Sequence, residues 1–219
     1  MDRREIETPT EQLIEEAIDR GDAAEAKRLL REVTGAWRRN KDYSINWITS
    51  LLSFIGRELG EDAVEVALRD FGERFVRARR AGLRDVDSRA RMEGIVRAMK
   101  ANGGEVVFTE EDERYVLSFR CGSGGMLIDE RAYESPKGYL TLTERGPRTF
   151  MREQLPGYCA HCSVNNEMQG IEWDGIPHTV EHPPTEPGQP CVHHVYKDSR
   201  AIPEEIYRRV GKDKTATDG

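Results

Sequence analysis

From residue 8 to residue 101 apolar side chains recur at spacings of three and four, the period of helices with one buried face. Thr8-Pro9-Thr10-Glu11 has the spacing of a capping box with proline at the first helical position, and Gly21 closes the short helix that follows. Asp22 with Glu25 repeats the start signal, and the next helix is predicted to bury Ala26, Leu29, Leu30, Val33 and Trp37. A third helix, near 43–59, carries Ile45, Trp47, Ile48, Leu51, Leu52, Phe54 and Ile55 and ends at Gly60. As the most apolar of the series it is expected at the centre. A fourth, near 62–80, turns Val64, Ala67, Leu68, Phe71 and Phe75 inward, and a fifth, with a weaker pattern, covers 87–101.

The period changes at "ANGGE", residues 101–105. Asn102-Gly103-Gly104 is a turn signal, and "EVVFTEEDERYVLSFRC" reads as two strands joined at Glu110–Glu113. "YLTLT" at 139–143 is predicted to be a strand and 157–169 a helix. "HTVEH" and "CVHHVYK" read as two further strands, 203–209 as a last short helix, and the tail "GKDKTATDG" as disordered. These patterns predict an α+β protein: an N-terminal helical lobe over 1–101 packed on a small antiparallel sheet within a mixed region over 102–210, with a tail at 211–219.

Composition narrows the function classes. Charged residues make up 33% of the chain, and no run approaches the roughly 20 apolar residues that a membrane-spanning helix needs. The first residues, "MDRREIETPTEQ", lack the apolar segment of a secretory signal, so a cytoplasmic protein is expected. Formal charge is −7, and basic residues alternate with acids, as in "RDFGERFVRARR". That pattern describes solvated helix faces and excludes a concentrated phosphate-binding surface, so no nucleic-acid partner is expected. Amphipathic helices this abundant are compatible with a homodimer.

The cysteines change the picture most. All four, Cys121, Cys159, Cys162 and Cys191, fall in the second region, and all five histidines lie between 161 and 194. In a reducing compartment such crowding favours metal binding or catalysis over cross-linking. Cys159 and Cys162 would share one turn, and Cys121 and Cys191 stand at a strand end and a strand start, so the four can complete a thiolate set, with zinc the expected metal. A redox pair, inert buried thiols, or a cysteine nucleophile with His161 or His193 as base are the other readings of the same residues. A closed four-cysteine site would be structural, whereas an open one beside His161 would hold an activated water. Each of His178, His182, His193 and His194 is individually read as an ordinary strand residue.

Other candidates are single features. Gly124 lies in "CGSGGML", where glycines let the backbone approach a ligand or thiolate closely. Asp42 and Asn46 share a helix face beside Trp47 and would line a ligand pocket, or else Asp42 is an N-cap and Asn46 is exposed. Arg148 and Arg152, four apart, would clamp a substrate carboxylate, and Glu167 or Glu172 would serve as general base.

The order of these features, a helical first half, a strand ending in Cys121 with glycines, a helix bearing Cys159 and Cys162, and a closing strand begun by "GQPC" at Cys191, resembles the L-2-amino-thiazoline-4-carboxylic acid hydrolase-like proteins and the related 4-vinyl reductase-type small-molecule-binding domains. The resemblance covers mainly residues 100–200, and "YCAHC" matches neither family residue by residue. It implies helices joined to a small antiparallel sheet, a metal or ligand site near the cysteines, and a small-molecule pocket. The expectation is a zinc-dependent hydrolase acting on a C–N or related bond of a small carboxylate-bearing molecule, with zinc on the four cysteines, His161 and Glu167 catalytic, and Asp42, Asn46, Trp47, Gly124, Arg148 and His193 against the substrate. The alternatives are a binding or sensing module with a purely structural four-cysteine zinc site, and a metal-free thiol-dependent enzyme.

Overall fold

Helical and strand periods meet at Gly103-Gly104, and the backbone follows both. The computed structural model describes residues 2–80, 82 and 85–214. Its helices are α1 Arg3–Glu7, α2 Thr10–Asp19, α3 Ala23–Leu59, α4 Glu61–Phe71, α5 Arg77–Arg80, α6 Ser88–Ala101, α7 Gly124–Asp129, α8 Gln169–Asp174 and α9 Glu204–Arg208. Its strands are β1 Glu105–Glu110, β2 Arg114–Arg120, β3 Thr141–Leu142, β4 Leu155–Pro156, β5 Val180–His182 and β6 Cys191–Tyr196. The fold is α+β, rich in helix with a small antiparallel sheet. By compactness the chain divides into residues 1–46 and 47–219. Among the described residues no helix is long and apolar enough to cross a membrane. The last five residues of the expected disordered tail, 215–219, lie outside the described residues.

In the first unit Asp2 and Glu5 exchange backbone hydrogen bonds as a capping box and start α1, a helix the periodicity did not announce. Helix α2 begins at Thr10 with Pro9 as its cap, one residue later than the spacing predicts. The two helices expected on either side of residue 40 are one, α3, because "RRNKD" contains no glycine or proline to interrupt it. Asp42 is therefore an interior helix residue and no cap. Leu29 is buried, but Leu30 and Trp37, expected beside it, are exposed.

The second unit holds the sheet. The α3 segment within it is not central: Trp47 is 60% exposed and Phe54 62%, with Ile48 and Leu51 also open. Its buried seam is instead Thr49, Leu52, Ser53 and Gly56, small because the chain at Leu140 lies close against it. The Ser53 hydroxyl accepts from the Leu140 N–H at 2.9 Å, and a Cβ on Gly56 would come within 2.2 Å of the Leu140 side chain. Close approach selects small side chains, so the largest apolar residues of α3 mark its outer face. Phe71 and Phe75, expected inward on the next helix, are likewise half exposed and stack on each other at 5.4 Å.

The sheet has strand order β1-β2-β6-β5, every neighbour antiparallel. Its register pairs Phe119 with Cys191, Leu117 with His193 and Glu181 with His193. Side chains alternate across a strand, so Phe119, Leu117, Cys191, His193 and Glu181 share one face, while His182 and His194 share the other. Helix α6, capped by Asp87, covers part of the first face with Met92, Ile95 and Met99. The strand expected over 139–143 shortens to β3, paired with β4. The helix expected over 157–169 is broken into a 3₁₀ turn, Gly157–Cys159, and a π-helical stretch, Cys162–Met168, before α8.

Candidate functional site: a cysteine and histidine cavity

The four cysteines reach one cavity of about 230 Å³ from four places in the second unit. Cys121 leaves the end of β2, Cys159 sits in the 3₁₀ turn, Cys162 opens the π-helical stretch and Cys191 starts β6. His161, His178, His193 and Glu181 share the lining, with Arg80 and Asn166 at one side. Ile95, Ala98, Met99 and Phe119 supply an apolar wall.

Two glycines shape the cysteine end. A Cβ on Gly124 would stand 2.9 Å from the Cys159 sulfur, so glycine at this position allows the sulfur to lie against the backbone. A Cβ on Gly122 would stand 2.0 Å from the Asn102 carbonyl oxygen, which brings the turn after α6 onto the turn after β2. Asn102 Nδ2 donates to Ser123 Oγ at 2.8 Å, and Ser123 Oγ lies 3.1 Å from Cys121 Sγ.

His161 Nδ1 is 2.6 Å from the Tyr158 carbonyl oxygen, which can only accept, so Nδ1 carries the proton. Nε2 is then an acceptor, 3.5 Å from the Cys162 sulfur. Burial holds the His161 imidazole below its usual range and keeps it neutral. The His193 ring packs edge-on against Phe119 at 5.9 Å, and burial lowers it too.

The polar side of the cavity is a chain of contacts that crosses three elements. Arg80 Nη1 donates to Asn166 Oδ1 and, at 3.4 Å, to the Asn165 carbonyl. Asn166 Nδ2 donates to Glu181 Oε1 at 2.6 Å, and the same oxygen lies 3.5 Å from His193 Nδ1. Three atoms here are sealed from solvent without a hydrogen-bond partner: His178 Nδ1, Glu181 Oε2 and His193 Nδ1. Buried polar atoms are normally paired, so three orphans on one small cavity point to a bound molecule or ion that completes them.

Burial raises the thiols of Cys159, Cys162 and Cys191 well above the ordinary thiol value. Glu181 and the neighbouring sulfurs add to the effect, because each negative charge disfavours the next. A cation among them would reverse that repulsion. Among the described residues, however, no three His, Cys, Asp or Glu side chains are gathered into a coordinating group.

Several expected site residues lie elsewhere. Arg148 is taken up by carboxylates, with Asp62 at 2.6 Å, Glu144 at 2.5 Å and Glu65 at 3.4 Å, so it has no fork to offer a substrate. Arg152 donates to the Pro183 carbonyl at 2.9 Å. Glu167 is fully buried outside the cavity; it accepts from the Glu181 N–H at 2.7 Å and pairs with Arg209. Burial pushes its carboxyl up to about 7, against the pull of Arg209. Glu172 pairs with Arg69 and Lys212. Asp42, Asn46 and Trp47 do not line the cavity; the Asn46 side chain donates to the Asp42 carbonyl at 2.8 Å, within the helix. Gly124 and His193 do line it.

The residues that sequence reasoning missed are Glu181, Asn166, Arg80 and the cavity role of His178. Alternation in "HTVEH" sets Glu181 opposite to His182, a signal present but unread. Arg80 closes the run "RARR", whose other arginines are exposed, and nothing in the run distinguishes it. Comparison with protein-family models, with curated proteins and with solved structures finds no match for this chain.

Proposed function

We propose that the cavity is the working site of a zinc-dependent hydrolase that cleaves a C–N or related bond in a small anionic molecule. The observation that carries this reading is the convergence of four cysteines, three histidines and Glu181 on one small cavity with three orphaned polar atoms. The donor set fits zinc chemically, since sulfur and imidazole are its usual ligands and the cysteines Cys121, Cys159, Cys162 and Cys191 share one lining. When bound, zinc would supply Lewis-acid polarisation of the scissile bond.

In this reading Glu181 takes over from Glu167 as the working carboxylate and Arg80 from Arg148 as the cation. Hydrolysis adds hydroxyl to carbon and a proton to the departing nitrogen. Glu181 Oε2 accepts the proton from water, and His161 or Glu181 returns it to nitrogen. Arg80, bonded through Nη1 alone, turns its remaining donors to the negative group of the substrate. The apolar wall of Ile95, Met99 and Phe119 covers the rest of the molecule and excludes water.

A second reading is favoured by one observation, the absence of a gathered coordinating group among the described residues. In it the protein binds no metal, and the thiols act directly or simply line a small-molecule pocket. Elemental analysis combined with thiol titration before and after chelation separates the two. About one zinc per chain, with thiols that become titratable only after chelation, is the expected result. Four freely titratable thiols and no stoichiometric metal would sink the zinc reading. Glu181→Gln in a folded, zinc-loaded protein is then expected to lower turnover by about 100-fold or more while leaving the metal in place.

A further inference from the structure

Strand β1 stands at the edge of the sheet with β2 as its only partner. The Glu111 N–H donates to the Arg114 carbonyl at 2.9 Å and sets the phase of the hairpin. Hydrogen-bonded pairs then recur at every second residue, so Glu105, Val107 and Thr109 bond to β2. The N–H and C=O groups of Val106, Phe108 and Glu110 point away from the sheet. Val107 is 67% exposed and Phe108 45%, an open apolar middle for an edge strand. Beside it runs a groove of about 390 Å³ between β1 and α6, with Met92, Val96, Val106 and Phe108 on its floor.

Charge along this strand is polar. Its beginning lies next to Arg97 and Lys100, which line the groove at the C-terminal turn of α6. Its end runs into Glu110, Glu111, Asp112 and Glu113. A strand that is basic at one end and acidic at the other is complementary to itself when turned antiparallel. Natural edges are commonly blunted by charges along the strand; here the acids sit at the ends and leave the middle apolar.

We propose that β1 pairs with β1 of a second copy of this chain across a two-fold axis, joining two four-stranded sheets into one. The axis passes through Val107. Phe108 then lies opposite Val106 of the second copy, on the α6 side, and fills that copy's groove. Glu110 lies opposite Gly104, within reach of the second copy's Lys100, and Glu105 lies opposite Thr109. Moving the axis to Phe108 would set Glu105 against Glu111, so like charges select the first register. This dimer surface is distinct from the outer faces of α3 and α4 and independent of what the cysteine cavity binds.

The test is the oligomeric state of the full chain by analytical ultracentrifugation, with Lys100→Glu and Glu110→Lys as variants. The wild-type chain is expected to be a dimer at micromolar concentration. Each variant alone creates two repulsive contacts per dimer and is expected to raise the dissociation constant by about tenfold. An equimolar mixture of the two variants restores opposite charges at both ends and is expected to recover the dimer. Since Glu110 also pairs with Lys197 within the chain, Asp112→Lys serves in its place should Glu110→Lys fail to fold by circular dichroism. A monomeric wild-type chain at about 100 µM would overturn the proposal. So would a dimer that neither variant weakens, which puts the contact elsewhere, or a mixture no tighter than its components.

Discussion

Two glutamates fourteen residues apart divide the labour that the sequence assigned to one. Glu167 is closed in on every side: Arg209 reaches both of its oxygens and also donates to the Glu181 carbonyl at 2.8 Å, while the Glu181 N–H donates to Glu167. The pair therefore grips the backbone of Glu181 by both its donor and its acceptor and fixes where the Glu181 carboxylate points. Glu167→Ala leaves a buried guanidinium and a buried N–H unmatched and is expected to cost about 3 kcal/mol in urea denaturation. Glu167→Gln keeps an acceptor for the N–H and should cost less; equal losses would argue against the grip. At this scale the cysteines and His161 were legible because rare residue types crowded into one stretch announce themselves. Which of two glutamates faces the cavity was not, since a helix bearing Glu167 and a strand bearing Glu181 look equally suited until the π-helical stretch and the register of β5 are known.

Elements meet at the cavity through turns. The turn after α6, held by Asn102, and the turn after β2, at Gly122, touch backbone to backbone. Gly122→Ala would drive a Cβ against a carbonyl oxygen that has no rotamer to relieve it, and a loss of about 2 kcal/mol is expected in thermal or urea melts. A variant as stable as the wild-type chain would show that the two turns part easily. Helix existence was largely readable from periodicity, but which face was buried was not. The strongest apolar stripe, Trp47, Leu51 and Phe54, faces out, and the seam that packs is Thr49, Ser53 and Gly56. Periodicity reports amphipathicity; it does not report a backbone passing so near that only small residues fit.

For the whole molecule, the alternation of one sheet separates two sets of histidines. His193 faces the cavity, whereas His182 and His194 face the other way with rings 4.9 Å apart. Burial, with Arg209 near His182 and Arg114 near His194, holds both down to about 4. In the unfolded chain they titrate near 6.5. Between about 4 and 6.5 the folded protein thus binds fewer protons than the unfolded one, so stability rises with pH across that window and is lost as pH falls through it. Urea midpoints measured from pH 7 down to pH 5 should decline, and replacing both histidines by glutamine should flatten the slope. A slope unchanged by that double variant would assign the acid sensitivity elsewhere. The α+β class and the crowding of chemistry into the second half of the chain were visible in the sequence. The division of histidines between two faces required the register, which the sequence leaves open because "CVHHVYK" can enter a sheet in either phase.

The π-helical stretch from Cys162 to Met168, closed by the Gln169 N–H on the Val164 carbonyl, spends one more residue on its turn than an α-helix would. That surplus residue makes the segment intolerant of length change. Removing any one residue from it would restore the ordinary pitch and rotate everything that follows by about 100°. Asn165, whose side chain donates to the Leu68 carbonyl, and Gln169, which donates to that of Arg69, would then swing away from α4. Point substitutions in this segment act one side chain at a time; a single-codon deletion would act on the cavity, the Glu167 grip and the α4 contact at once.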